Sequence, residues 1–213
     1  MRGIVYKDLC LLFRILDWRG LLACGALTAL FLVEGGAYAG MLLSAGLGML
    51  VGMMNVLVFE HEEKAGWRKY QRTLPVSGGA VVAGKYAAVL LSALPCAAGA
   101  VLFNLALFAV YGRFAPLGLS VLMAVVIPLA WAVVSLPAYY WFGYPAAQYT
   151  GALPFLALCV FFRAIGDGGA GWAPALASMA GSTGVPWLLV LPVLAGGGFL
   201  SMAVSTWGYC RKN

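Results

Sequence analysis

"YAAVLLSALPCAAGAVLFNLALFAVY", Tyr86 to Tyr111, runs without a single charged side chain. A helix crosses the hydrocarbon core of a bilayer with about 20 consecutive apolar residues, so this stretch is long enough to span it. The rest of the chain has the same character. Of its 213 residues, 63% are hydrophobic and 9% charged, whereas soluble domains carry roughly 25% charged residues. A composition so poor in polar residues cannot cover a soluble surface, and it predicts an all-α polytopic membrane protein. Six segments have the length and apolarity of a span: 20–36, 38–59, 86–111, 116–140, 148–165 and 186–208. We expect one transmembrane domain over residues 1–213, with an even number of spans and both termini on one side.

The basic residues say which side. Arg2, Lys7, Arg14, Arg19, Lys64, Arg68, Lys69, Arg72, Lys85, Arg211 and Lys212 fall on one side, and only Arg113 and Arg163 on the other. The positive-inside rule makes the first side cytoplasmic. The fourth connection, "WFGYPAAQY", belongs to that side yet carries no basic residue. Residues 1–19 are too interrupted by charge for a secretory signal. Val5, Leu9, Leu12 and Leu16 make one stripe with Lys7, Arg14 and Asp17 broadly opposite, which suits an interfacial helix. A polar extension of the first span is the alternative. Ser44, Gly48 and Gly52 form a small-residue face for helix packing on span two. Pro95, Pro128, Pro137, Pro154 and Pro192 predict kinks. The external stretch 166–185 is Gly-rich and either a loop or a short re-entrant helix over Trp172–Met179. Five cysteines without a C-x-x-C pair behave as small hydrophobes.

The one long polar segment is 60–79, "EHEEKAGWRKYQRTLPVSGG". As a helix from Glu60 to Leu74 it sets Trp67, Tyr70 and Leu74 in a narrow arc continued by Glu63 and Glu60. Lys64, Arg68 and Arg72 form a basic row beside that arc. Acids early and bases late match the helix dipole. Pro75 ends the helix, Ser77 caps the next, Gly78 and Gly79 form a hinge, and Lys85 sits at headgroup level. Two readings fit: aromatic anchors in the lipid headgroups, or a docking helix for a cytoplasmic partner. In the second, Trp67 and Tyr70 fill a cleft while Glu60, Glu63 and Arg68 pair at its rim.

Two motif fragments fail on chemistry. "HEEKA" has Ala65 where a zinc site needs its second histidine, and His61 is the chain's only one. Gly79-x-x-x-x-Gly84-Lys85 is followed by Tyr86 rather than the Ser or Thr that holds Mg²⁺, and no strand precedes it. We expect no catalytic residue, no metal ligand and no cofactor in this chain. Polar residues within the spans are few, namely Asn55, Asn104 and Gln148, with Glu34 near an outer boundary. That thins the case for an ion-driven carrier.

Phe59 to Tyr86 resembles the membrane subunits of ABC-2-type ABC transporters: an acidic start, a Trp/Tyr-bearing helix, then Leu74-Pro75-Val76-Ser77 and Lys85-Tyr86 opening the third span. "LPAYYWFGYPAAQY", Leu136 to Tyr149, is similar to the family's Pro-Tyr-Tyr-x-Phe-Gly ending of span four, except that Pro145 and Ala146 stand where charged residues are usual. The resemblance implies a permease without catalysis of its own, in a bacterial plasma membrane, paired with a second permease and with separate ATPase subunits. It implies that ATP and Mg²⁺ are held by that ATPase. It also implies that Glu60, Glu63, Trp67, Arg68, Tyr70 and Leu74 belong to a coupling helix seated in an ATPase cleft. Phenol-soluble-modulin-type peptide exporters look most similar in function, so the expected cargo is an amphipathic peptide or another lipophilic molecule. The rival readings are an ATPase-independent transporter or channel, and a membrane-anchored immunity or binding protein.

Overall fold

The computed structural model describes residues 2–15, 39–71, 73, 75–112, 117–150, 153, 156, 160 and 185–211. All regular structure among them is helical: α1 (Arg2–Ile15), α2 (Ala39–Lys64), α3 (Trp67–Gln71), α4 (Gly78–Tyr111), α5 (Leu117–Phe142) and α6 (Val185–Arg211). A further helical run covers 144–150. Three described helices are long and apolar enough to cross a membrane: Gly40–Lys64, Gly78–Ala109 and Leu117–Phe142. The expected first span at 20–36, most of the fifth, and the external stretch with Trp172–Met179 lie outside the described residues.

Helix α5 is the centre of the bundle, packing against α2, α4 and α6. Backbones approach closely where a side chain is missing. A Cβ on Gly48 would meet Ile127 Cβ at 3.1 Å, and one on Gly52 would enter the Trp131 indole at 2.8 Å. Ser44, on the same face, is buried and donates its hydroxyl to the Gly40 carbonyl at 2.7 Å. Across the bundle, a Cβ on Gly208 would come 2.6 Å from Trp141 Nε1, which seats α6 on α5. Polar side chains join the same seams. Ser201 donates to the Val133 carbonyl at 2.6 Å, and Ser120 donates to Asn104 Oδ1 at 3.4 Å. Such contacts satisfy buried polar groups that lipid cannot.

Two expected boundaries move. Helix α2 does not end near residue 59 but carries straight on through the acidic turn to Lys64. The apolar run expected to begin the third span at Tyr86 is preceded by helix from Gly78 on, and Ser77 caps α4 as expected, its hydroxyl accepting from the Ala80 N–H at 3.4 Å. Gly78 and Gly79 are therefore the first turn of α4 and not a hinge. Gly78 is placed by packing, since a Cβ there would lie 2.7 Å from the Tyr209 ring. The far end of α4 closes on Gly112 at φ +63, whose N–H reaches the Phe108 carbonyl at 2.9 Å. Only glycine takes that left-handed position without strain. Pro95, Pro128, Pro137 and Pro192 all lie inside continuous helices.

Helix α1 also departs from its expected orientation. Its buried face is Ile4, Asp8 and Leu12, while Val5 and Leu9 are only half-buried. Tyr6 and Phe13, at 72% and 73% exposure, face away from the protein. The charged positions drive the rotation, because Asp8 and Lys7 find partners on α2 and α4 rather than in solvent.

Candidate functional site

The C-terminal ends of α2, α5 and α6, the start of α4, and the whole of α1 and α3 meet at one end of the bundle. An aromatic layer floors this polar end. Phe59 stacks on Tyr139 with centroids 4.5 Å apart, and Tyr140 meets Tyr139 and Tyr209 edge-on at 5.4 and 5.7 Å.

The last turn of α2 distributes three carboxylates by helical geometry. Glu60 and Glu63, three residues apart, share one side, and Glu62 points inward. Glu62 enters a cluster of four charges. Lys85 Nζ lies 2.5 Å from Glu62 Oε1 and 3.1 Å from Asp8 Oδ2. Lys7 Nζ lies 2.9 Å from Asp8 Oδ1 and also pairs with Glu62. The side chains of Asp8, Glu62 and Lys85 are only 3%, 4% and 4% exposed, against 22% for Lys7. Two cations and two anions cancel, which is what lets such groups leave water together. The two carboxylates hold Lys85 buried inside the protein.

Glu60 and Glu63 turn to a different partner. The Tyr144 hydroxyl donates to Glu60 at 3.0 Å, and the Tyr144 backbone N–H donates to Glu63 at 3.0 Å. Glu63 thus caps the helical run 144–150 from outside it, as a carboxylate at a helix N-terminus should. Gly143, at φ +95, makes the sharp break that leaves the Tyr144 N–H available. Pro145 follows in the first turn, where a missing N–H costs nothing. Lys64 pairs back to Glu60 at 2.6 Å. Partial burial, and then the bond to Glu60, raise the Tyr144 hydroxyl pKa above its ordinary value.

The expected single helix from Glu60 to Leu74 is broken. Gly66 takes φ +65 and its N–H returns to the Glu63 carbonyl at 3.1 Å, closing α2 before α3 begins. Glu60 and Glu63 consequently belong to α2, and Trp67 and Tyr70 to the short α3. Those two rings stay together, 5.2 Å apart, but they look in different directions. Trp67 is half-buried with the Lys7 ammonium 4.2 Å from its ring centroid. Tyr70 is 56% exposed. Leu74 and the Arg68 side chain lie outside the described residues. Gln71 is buried, and neither its Nε2 nor Trp67 Nε1 has a hydrogen-bond partner among the described residues.

Sequence reasoning read Lys7 as the polar face of an interfacial helix and did not single out Asp8, Glu62 or Tyr144. A signal existed for Glu62: it lies on the opposite face of its turn from Glu60 and Glu63, in a chain with seven acids. His61 is exposed with Nδ1 3.0 Å from the Leu57 carbonyl, and no group of metal-ligating side chains occurs among the described residues. Away from the polar end, an apolar cleft of about 360 Å³ runs between α4, α5 and α6, lined among others by Leu90, Leu129, Val133 and Phe199. Tyr86 stands at its wall with its hydroxyl 2.5 Å from Ser201 Oγ.

Among the described residues, apolar helices long enough to cross a membrane converge on one polar, aromatic-bearing end. Residues 3–209 match the family described as ABC-2 family transporter protein. The chain belongs to the ABC-2 transporter family. The match covers the described spans and the polar end alike, so this ABC-2 protein is a multi-pass membrane protein. Its family points to the permease subunit of an ABC transporter rather than to a catalytic enzyme, and such permeases work with an ABC ATPase. No curated protein and no solved structure matches the chain.

Proposed function

We propose that this chain is the permease subunit of an ATP-driven exporter, with six spans and both termini in the cytoplasm of a bacterial cell. It works as a dimer, with itself or a paralogue, on separate ATPase subunits that bind ATP and Mg²⁺. The observation that carries this reading is the polar end. There a short aromatic helix, α3, follows the last turn of a spanning helix through a single glycine turn, so a push on α3 reaches α2 directly. Tyr70 is the exposed side chain that enters the ATPase cleft, and Arg68 and Leu74 are assigned to the same docking segment by the family resemblance. Glu60 and Glu63 act from behind, passing the displacement to Tyr144 and the helix it begins. Trp67 passes it to α1.

The apolar cleft between α4, α5 and α6 supports a lipophilic or amphipathic cargo, of which an amphipathic peptide is our choice. Purification of the tagged chain from its native membrane tests the first half of the proposal, by asking for a stoichiometric ATPase. Reconstitution of that complex in proteoliposomes tests the second. ATP-dependent efflux of a fluorescent amphipathic peptide is the expected result. Efflux by the chain alone would support a carrier or channel, and binding without movement would support an immunity or anchoring protein.

A further inference from the structure

Buried charges within a membrane protein are costly and rarely without purpose. The four at the polar end have a property that a plain core ion pair lacks. Helix α1 brings both Lys7 and Asp8, which pair with each other at 2.9 Å. Helices α2 and α4 bring Glu62 and Lys85, which pair at 2.5 Å. Each half is neutral by itself. If α1 lifts away, neither half is left with an unmatched charge, so the large penalty for stranding a buried ion does not arise. Apolar contact adds to the joint: Ile4 packs against Gly84 with Val5 beside it and lies in one buried cluster with Phe59, Val81 and Val82, and Leu12 is buried as well.

A helix of 14 residues is marginal by itself in water, so docking decides where α1 is. One further contact links the joint to α3: the Trp67 ring lies over the Lys7 ammonium, the same cation that pairs with Asp8 and Glu62. Attraction of a cation to an indole face strengthens as water is excluded.

We propose that α1 is held by a separable two-pair ionic clasp, Lys7–Asp8 against Glu62–Lys85, and that α3 controls the clasp through Trp67. Asp8, Glu62 and Lys85 are positioning residues in this scheme. Docking and release of α1 is then a step of the transport cycle, which rests on the function proposed above. Displacement of α3 withdraws the indole from Lys7, weakens the α1 half, and frees the inner ends of α2 and α4 to move.

The geometry supplies its own reporter. A Cβ on Gly84 would stand 3.7 Å from Ile4 Cβ, close to the mean of about 3.8 Å for disulfides. In a background lacking the native cysteines, Ile4→Cys with Gly84→Cys crosslinks when α1 is docked. For the purified chain in lipid nanodiscs we expect fast crosslinking, slowed about tenfold by the double variant Glu62→Gln with Lys85→Met, which removes one neutral half whole, and roughly threefold by Trp67→Leu. Ile4→Cys alone, labelled by a hydrophilic maleimide, gives the same information without touching Gly84. Ile4 is buried, so labelling should be slow and should accelerate in both variants. Unchanged crosslinking and labelling in the Glu62→Gln, Lys85→Met double variant overturn the clasp.

The complex with its co-purified ATPase then tests the cycle. The oxidised crosslink should leave ATPase binding intact and stop peptide efflux, and dithiothreitol should restore it. Full efflux through the locked protein overturns release as a step of transport. Failure of any ATPase to co-purify defeats the exporter reading and with it control by ATP, while the nanodisc measurements still decide whether the clasp holds α1.

Discussion

Replacing Glu62 by Gln removes one charge of the buried quartet and keeps its volume. Lys7, Asp8 and Lys85 remain, two cations against one anion. Breaking a buried ion pair by removing one partner costs about 3–5 kcal/mol, because an uncompensated charge stays inside. Lys85 is almost fully enclosed, but Lys7 is 22% exposed and can swing towards water. That escape puts Glu62→Gln near the lower end, about 3 kcal/mol. Lys85→Met offers no such relief. It leaves two enclosed carboxylates facing the one partly exposed ammonium, so it belongs at the upper end, about 5 kcal/mol. Charge balance makes a sharper forecast for the double variant. Adding Lys7→Met to Glu62→Gln leaves the neutral pair Asp8–Lys85, and should recover on the order of 1–2 kcal/mol instead of adding a second loss. Equilibrium unfolding in mixed detergent micelles, run on the wild type, both single variants at Lys7 and Glu62, and the double, gives the coupling directly. A double variant as unstable as the sum of its parts would falsify the view that net charge governs the site.

The other expectations are more local. Gly52→Ala should drive a methyl into the Trp131 indole and cost about 1–3 kcal/mol, whereas Gly46→Ala, with open space around it, should unfold like wild type in the same assay. Gly66→Ala forces a left-handed backbone on a residue with a Cβ and should lower stability by about 1–2 kcal/mol, with Gly66→Asn intermediate. Tyr144→Phe removes the hydrogen bond to Glu60 at a cost of about 1 kcal/mol and should lower peptide moved per ATP hydrolysed in the reconstituted complex. Folding raises the Tyr144 pKa above 10.0, so the protonated hydroxyl is the favoured form. The stability gap between wild type and Tyr144→Phe should therefore hold below that value and close as pH rises through the raised pKa; a gap that widens in alkali would contradict the assignment.

Local patterns carried much of the polar end. Ser77 as the cap of α4 follows from a hydroxyl residue before a long apolar run, and it accepts the Ala80 N–H as such a residue should. Span-length apolar stretches set α2, α4 and α5. The break at Gly66 was harder to see, because the apolar-aromatic periodicity runs unbroken through it. A single glycine is tolerated within a helix, and nothing local says whether it will take a right- or left-handed backbone. The registry of α1 was misread for a related reason. Hydrophobic periodicity ranks Leu9 and Val5 above Asp8, and it cannot price a carboxylate whose partner is 77 residues away at Lys85.

What the sequence by itself determined is the kind of molecule: apolar runs too long and charge too scarce for water, and a family motif from Phe59 to Tyr86. These are properties of segments, and segments are enough because the bilayer acts on each helix separately. Tertiary structure decided which charges face each other. Glu62 belongs with Lys85 and Asp8, and Glu63 belongs with Tyr144, because α1, α2, α4 and the Gly143 break converge at one end of the bundle. Pair energies depend on distances of a few ångströms across three helices and on the exclusion of water around them, and neither quantity is a property of any one segment.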